Sequence, residues 1–136
     1  MSEARIEKLE EEISSLRELL TSITLSVHYR KDMAFEASLS YNQIAGQART
    51  ALTLVLGSIQ SRAEEEAPNQ VRHPEILERF PVIAEAQMVG SIDLAEAIRL
   101  VARIVGNQER AYQLLKAHQE SGFGVQAYKK LGLGLD

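Results

Sequence analysis

The chain has 136 residues, of which 45% are hydrophobic and 25% charged, and its formal net charge is −4. This composition is typical of a folded globular protein and not of a disordered segment. The lack of cysteine excludes disulfides, thiolate metal sites and a cysteine nucleophile, and the lack of a basic surplus argues against a strong nucleic-acid binder.

No apolar run approaches the roughly 18 residues of a membrane span. The N-terminal stretch MSEARIEKLEEE is acidic, whereas a signal peptide begins with basic residues followed by an apolar run. We therefore expect a cytoplasmic protein that does not associate with a membrane.

The first part of the chain carries a heptad pattern of apolar residues. Counted from Ile6 as position a, the a and d positions hold Ile6, Leu9, Ile13, Leu16, Leu20, Ile23, Val27 and Arg30. Three heptads with apolar a and d positions predict a coiled-coil helix that drives oligomerisation. Arg30 is the polar exception, and polar residues in such a row are best known for fixing register or strand number.

The residues that flank this row favour a parallel pair of chains. In a parallel coiled coil a g residue faces the e residue of the next heptad on the other chain, so Arg5 would face Glu10 and Glu12 would face Arg17. Both pairs have opposite charges, and an antiparallel arrangement loses this match. Isoleucine at a with leucine at d favours two strands, but the third heptad reverses that order, so a higher oligomer stays open.

Beyond residue 33 the heptad register continues without an insertion, although small residues replace the large aliphatic ones. No proline occurs before Pro68, so nothing in the sequence obliges the helix to end. A turn near residues 29–33 would instead fold the segment into a helical hairpin. Because the register is preserved, we favour one continuous helix over residues 3–62.

The clearest boundary is the stretch AEEEAPNQVRHP, residues 63–74, where a charge run is followed by two prolines. We predict three parts: a coiled-coil oligomerisation helix over residues 1–62, a linker over 63–74, and a small helical domain with a flexible C-terminal tail over 75–136. Strand signals are nearly absent. The predicted fold class is all-α, with a long N-terminal helix followed by a compact bundle of short helices.

Local chemistry predicts the helix ends in the C-terminal part. Asp93 has the spacing to Glu96 of a capping box, with Ser91 as the alternative cap. Gly106 suits a helix C-terminus and Asn107 the start of the next helix, over residues 108–119. That helix presents one common face, made of Ala111, Leu114, Leu115 and His118. In the tail VQAYKKLGLGLD we expect a short helical turn before the glycines.

The sequence offers no constellation that predicts catalysis or a cofactor. His28, Asp32 and Glu36 would lie on one side of a helix and could contribute to a carboxylate-rich metal site, but neither Glu-x-x-His nor His-x-x-x-His occurs. We interpret them as a solvated polar face, and we predict no metal site and no enzyme activity.

Residues 101–119 have the spacing of a helix-turn-helix, with Gly106 at the turn. The side chains that could then contact nucleic acid are Arg110, Gln113, Lys116 and Gln119 on the second helix, together with Lys129 and Lys130 in the tail. Any two helices joined at a glycine look similar, so a plain helical hairpin is the favoured interpretation.

The sequence therefore favours a non-enzymatic, homo-oligomeric scaffold or adaptor. Its N-terminal helix would pair with other copies, and its C-terminal helices would present a surface to a protein partner that the sequence does not identify. The alternative is a DNA-binding oligomer of a plasmid, phage or regulatory type, which would use residues 101–119.

Overall fold

The computed structural model of the protein describes residues 2–29 and 34–133, without the side chains of residues 22–29. Within these ranges the chain forms eight helices and no strand, and none of the helices has the length and apolar composition of a membrane span. The helices are α1 (Glu3–Tyr29), α2 (Ala34–Tyr41), α3 (Gln47–Ala63), α4 (Pro74–Arg79), α5 (Val82–Ala86), α6 (Leu94–Val105), α7 (Gln108–Glu120) and α8 (Val125–Lys130). The predicted all-α class, with a long N-terminal helix followed by short helices, is confirmed.

The predicted continuous helix over residues 3–62 is wrong. α1 ends at Tyr29, and after α2 the chain leaves the helical conformation at residues 42–46. α1 and α2 lie against each other, which is the packing of the hairpin alternative. Residues 30–33, where we placed the turn of that hairpin, lie outside the described residues.

The break after α2 is a Schellman motif that uses no glycine. The Gln43 amide donates to the Ser40 carbonyl at 3.1 Å, and the Ile44 amide donates to the Leu39 carbonyl at 2.9 Å. Gln43 has a φ of 55°, the left-handed conformation that this position requires and that glycine usually supplies. Leu39 and Ile44 are both buried and supply the apolar contact that accompanies the motif. The end of α2 is therefore accompanied by burial of Ile44. The heptad register, which continues through these residues, does not predict that the helix ends here.

The core is built around α3, which packs against α5, α6 and α8. The fully buried apolar face of α3 consists of Ala51, Leu52, Val55, Leu56 and Ile59. The same buried cluster takes in Phe35 and Leu39 of α2, together with Ile83, Leu100, Val101, Leu114, Leu115, Tyr128 and Leu133 from later in the chain. One cluster thus joins α2 to the residues after α8, and we call residues 34–133 the body.

The connection between α3 and α4 lies within the predicted linker. Hydrogen bonds near both of its ends hold it close to the end of α5. The Gln87 carboxamide accepts a hydrogen bond from the Val71 amide at 2.5 Å and donates to the Val71 carbonyl at 3.3 Å. The buried Arg62 guanidinium donates to three carbonyls near the end of α5, those of Ala86, Gly90 and Ser91. These bonds offset the cost of burying both polar groups.

The predicted ends of α6 and α7 are confirmed. The Asp93 carboxylate accepts a hydrogen bond from the Glu96 amide at 2.8 Å, and the Asn107 side chain accepts one from the Arg110 amide at 2.7 Å. Gly106 ends α6 with a φ of 111°, where a side chain would be strained. Pro81 separates α4 from α5.

Candidate functional site

Large apolar side chains form an exposed row on α1. The row, which we call the α1 stripe, consists of Ile6, Leu9, Ile13, Leu16 and Leu20, and their exposed fractions lie between 41% and 63%. Their alternating spacing of three and four residues places them on one face of the helix. Soluble proteins rarely leave a contiguous apolar row uncovered unless it binds something.

The other three residues of the predicted coiled-coil row lie partly or wholly outside the described residues. Ile23 and Val27 belong to α1, but their side chains lie outside the described residues. Arg30, the predicted polar exception, lies outside them entirely. The α1 stripe is therefore the described part of the predicted oligomerisation surface.

The charged flanks of the α1 stripe are also exposed. Arg5, Glu10, Glu12 and Arg17 lie at the e and g positions that border the row, and all four side chains face solvent. This places two opposite-charge pairs within reach of a second helix laid along the stripe.

The residues of the predicted nucleic-acid surface do not share one face. Successive steps of three residues rotate the direction of a side chain by about 60°, so Arg110 and Gln119 point to opposite sides of α7. The Arg110 guanidinium lies 5.8 Å from the ring centre of Tyr41 on α2. The Gln119 carboxamide donates to the Leu133 carbonyl at 3.1 Å.

The other predicted contact residues are spread over two helices. Gln113 is exposed on α7, and the Lys116 ammonium lies 5.7 Å from the ring centre of Tyr112. Lys129 and Lys130 are exposed in the last turn of α8. DNA binding by residues 101–119 stays a prediction.

A buried polar and aromatic cluster lies where α2, α3, α7 and α8 meet. His118 Nδ1 lies 2.5 Å from the Tyr128 hydroxyl and 3.4 Å from Gln60 Nε2. The His118 ring stacks on Phe123 with a centroid distance of 4.9 Å and meets the edge of Phe35 at 4.4 Å. The histidine therefore links four helices. The Phe35 amide of α2 also donates a hydrogen bond to the Ser121 hydroxyl at the end of α7, at 2.8 Å.

Burial controls the protonation of this cluster. It lowers the pKa of His118 to about 4 because the charged imidazolium loses its hydration. Burial also raises the pKa of Tyr128, and a hydrogen bond from Gln60 acts in the opposite direction. At neutral pH both groups are uncharged, so the Tyr128 hydroxyl can donate to an unprotonated His118 Nδ1.

The sequence reasoning placed His118 correctly on the buried face of α7 but missed its bond to Tyr128. The two residues are separated by Gly122 and Gly124, which lie just before the predicted tail VQAYKKLGLGLD. Gly124 has a φ of 64°, and a Cβ atom there would collide with the Gln60 side chain. A glycine required at this point of close approach was the signal that the tail packs on the core.

The structure gives no support to a metal site. Among the described residues, no group of three or more metal-ligating side chains comes together. Glu36 forms an ion pair with Arg49, whose Nη2 lies 2.8 Å from the carboxylate. The His28 side chain and Asp32 lie outside the described residues.

Comparisons of the chain with protein-family models, with curated proteins and with solved structures give no match. The geometry of the α1 stripe and of the body is thus the basis on which a function is proposed.

Proposed function

We propose that the protein is a non-enzymatic, cytoplasmic scaffold or adaptor that forms a homo-oligomer through α1 and presents its body to a protein partner. A parallel dimer is the favoured form. The observation that carries this proposal is the α1 stripe, an apolar row with heptad spacing left exposed on a helix of 27 residues.

The occupant of the stripe that fits best is a second copy of the chain. The flanking charges are self-complementary in a parallel pair, because Arg5 meets Glu10 and Glu12 meets Arg17 of the other copy. A helix of another protein would not require this internal match. Each exposed ion pair contributes only a few tenths of a kcal/mol, so the charges select orientation while the apolar row supplies most of the affinity.

Leu16→Asp tests the proposal. Pairing buries Leu16 of both copies at the same level, so the substitution removes two apolar contacts and places two carboxylates side by side. The expected loss is at least about 3 kcal/mol, which is roughly a hundredfold weaker association. Sedimentation equilibrium over a range of micromolar concentrations measures the change.

Thr21→Asp is the matched control, because Thr21 lies on α1 at an exposed position away from the stripe. It adds the same charge to the same helix and leaves the apolar row intact. A wild-type protein that is monomeric throughout this range, or equal dissociation constants for the two variants, would overturn the proposal.

A further inference from the structure

The described side-chain bonds between α1 and the body lie on the face of α1 opposite its stripe. In the heptad frame Glu18 occupies position f, on the far side of the helix from a and d. Its Oε2 accepts a hydrogen bond from the Gly46 amide at 2.9 Å, and its Oε1 lies 3.4 Å from Arg49 Nε. Arg49 also pairs with Glu36, so one guanidinium ties both α1 and α2 to the start of α3.

The backbone at Gly46 allows this close approach. Gly46 has a φ of 63°, a conformation that favours glycine, and a Cβ atom there would lie 3.0 Å from the Ser15 hydroxyl of α1. Ser15 occupies position c, which is also outside the a and d row. Below this contact, Glu11 and Ser14 line a groove of about 210 Å³ against residues 45–48. The polar side of α1 at Ser15 and Glu18 thus rests on the body, while the side chains of the α1 stripe are exposed.

This arrangement determines where the bodies lie when two stripes pair. The second α1 covers the a and d positions, and the body occupies the f side, so each body lies on the outer side of its own helix. The two bodies are then separated by the thickness of two helices, roughly 20 Å. The bonds of α1 to its body come from position f, and not from the a and d positions that would pair.

We propose that Glu18 and Arg49 are positioning residues that fix the two bodies at a constant separation on opposite sides of the paired α1 helices. The inference rests on the proposed function and deepens it. The dimer becomes a rigid spacer, which presents two identical body surfaces to partner proteins at a defined distance. Without the Glu18–Arg49 attachment, α1 still pairs, but only its packing on α2 holds it to the body, so the body takes a wider range of positions relative to it.

Distances between spin labels test this proposal on the full chain. Because the sequence has no cysteine, a single introduced cysteine is labelled uniquely. Gln126→Cys places a label on an exposed position of the body, and Glu7→Cys places one on an exposed position of α1. Double electron–electron resonance then gives the body-to-body and the helix-to-helix distance distributions in the dimer.

In the otherwise unchanged chain we expect a narrow distribution at both positions. Glu18→Ala and Arg49→Ala are expected to at least double the width of the body-to-body distribution, with the helix-to-helix distribution and the mass in solution unchanged. Glu3→Ala is the control, because Glu3 carries the same charge at an exposed position of α1 and does not line the groove between α1 and the body. It is expected to leave both distributions narrow.

The outcomes separate this proposal from the one on which it rests. A dimer whose body-to-body distribution is already broad, or is not widened by Glu18→Ala and Arg49→Ala, contradicts the positioning role and leaves dimerisation standing. A monomer, with no dipolar signal from either label, overturns both. Widening by Glu3→Ala to the same extent would assign the effect to lost charge on α1 and not to the attachment.

Discussion

His118 connects the stability of the body to pH at the level of a single side chain. It is 8% exposed and lies between Phe35 and Phe123, with its Nδ1 against the Tyr128 hydroxyl. Protonation would place a charge among aromatic rings and remove the nitrogen lone pair that Tyr128 can donate to. The folded body therefore holds the neutral imidazole.

The sign of the pH dependence follows from the pKa of His118. Since this pKa falls from its ordinary value of 6.5 to about 4 in the folded state, the unfolded chain takes up the proton first as the pH falls. The contribution of the neutral His118 to the free energy of unfolding is complete above pH 6.5 and declines between pH 6.5 and 4. It amounts to at most about 3 kcal/mol. Urea unfolding at pH 7 and at pH 4.5 measures it.

His118→Gln is expected to lower stability at pH 7 and to reduce the difference between the two pH values. His73→Gln is the control, because His73 is exposed in the connection before α4. It should leave the pH difference as it is in the wild-type protein. An equal pH difference in the wild type and in His118→Gln would show that other groups cause the acid sensitivity.

At the scale of the helices, the same terminating motif recurs with different residues. α7 and α8 end in Schellman motifs with Gly122 and Gly132 in the left-handed position, with φ of 90° and 86°. α2 and α3 end in the same motif with Gln43 and Glu65 there, with φ of 55° and 61°. A side chain in this conformation is strained. The ends of α2 and α3 are therefore less stable than they would be with glycine in the left-handed position.

Gln43→Gly is therefore expected to stabilise the body. Relief of the left-handed strain exceeds the entropy that glycine loses on folding, which leaves a gain of about 0.5–1 kcal/mol in the free energy of unfolding. Thermal and urea unfolding measure the gain. Gly122→Ala is the matched reverse change and should destabilise the protein; a loss of stability in Gln43→Gly would mean that its side chain makes a contact worth more than the strain.

Helix ends set by local chemistry were predictable, and those set by distant packing were not. Asp93, Gly106 and Asn107 act on their own helices, so the sequence alone places the ends of α6 and α7. The end of α2 depends on burial of Ile44 in a core made by other helices, and no neighbouring residue encodes that. The exposed α1 stripe follows from its heptads, whereas the bond between His118 and Tyr128 requires α8 to fold back onto α3.

At the scale of the whole molecule, the shared core predicts one unfolding transition for the body. Leu56 on α3 and Leu114 on α7 lie on opposite sides of the connection at residues 63–74, and both are buried in the same cluster. Leu56→Ala and Leu114→Ala should each destabilise the body by about 2–5 kcal/mol. Differential scanning calorimetry should show that both variants shift the same transition.

Separate behaviour of the two variants would contradict a shared core. If Leu56→Ala moved one transition and Leu114→Ala moved another, the segments before and after residues 63–74 would unfold independently. Ile13→Ala, on the exposed side of α1, is the control and should leave the transition of the body nearly unchanged in a monomeric sample.

The position of Tyr128 in the chain has a consequence for synthesis. Tyr128 is fully buried, so the core is completed only after α8 has been made, about 100 residues after α1. At roughly 5–20 residues per second, this interval is about 5–20 s. An α1 helix that pairs through its own stripe needs nothing from α8. With the pairing proposed above, neighbouring nascent chains on one messenger RNA would associate before either has closed its core.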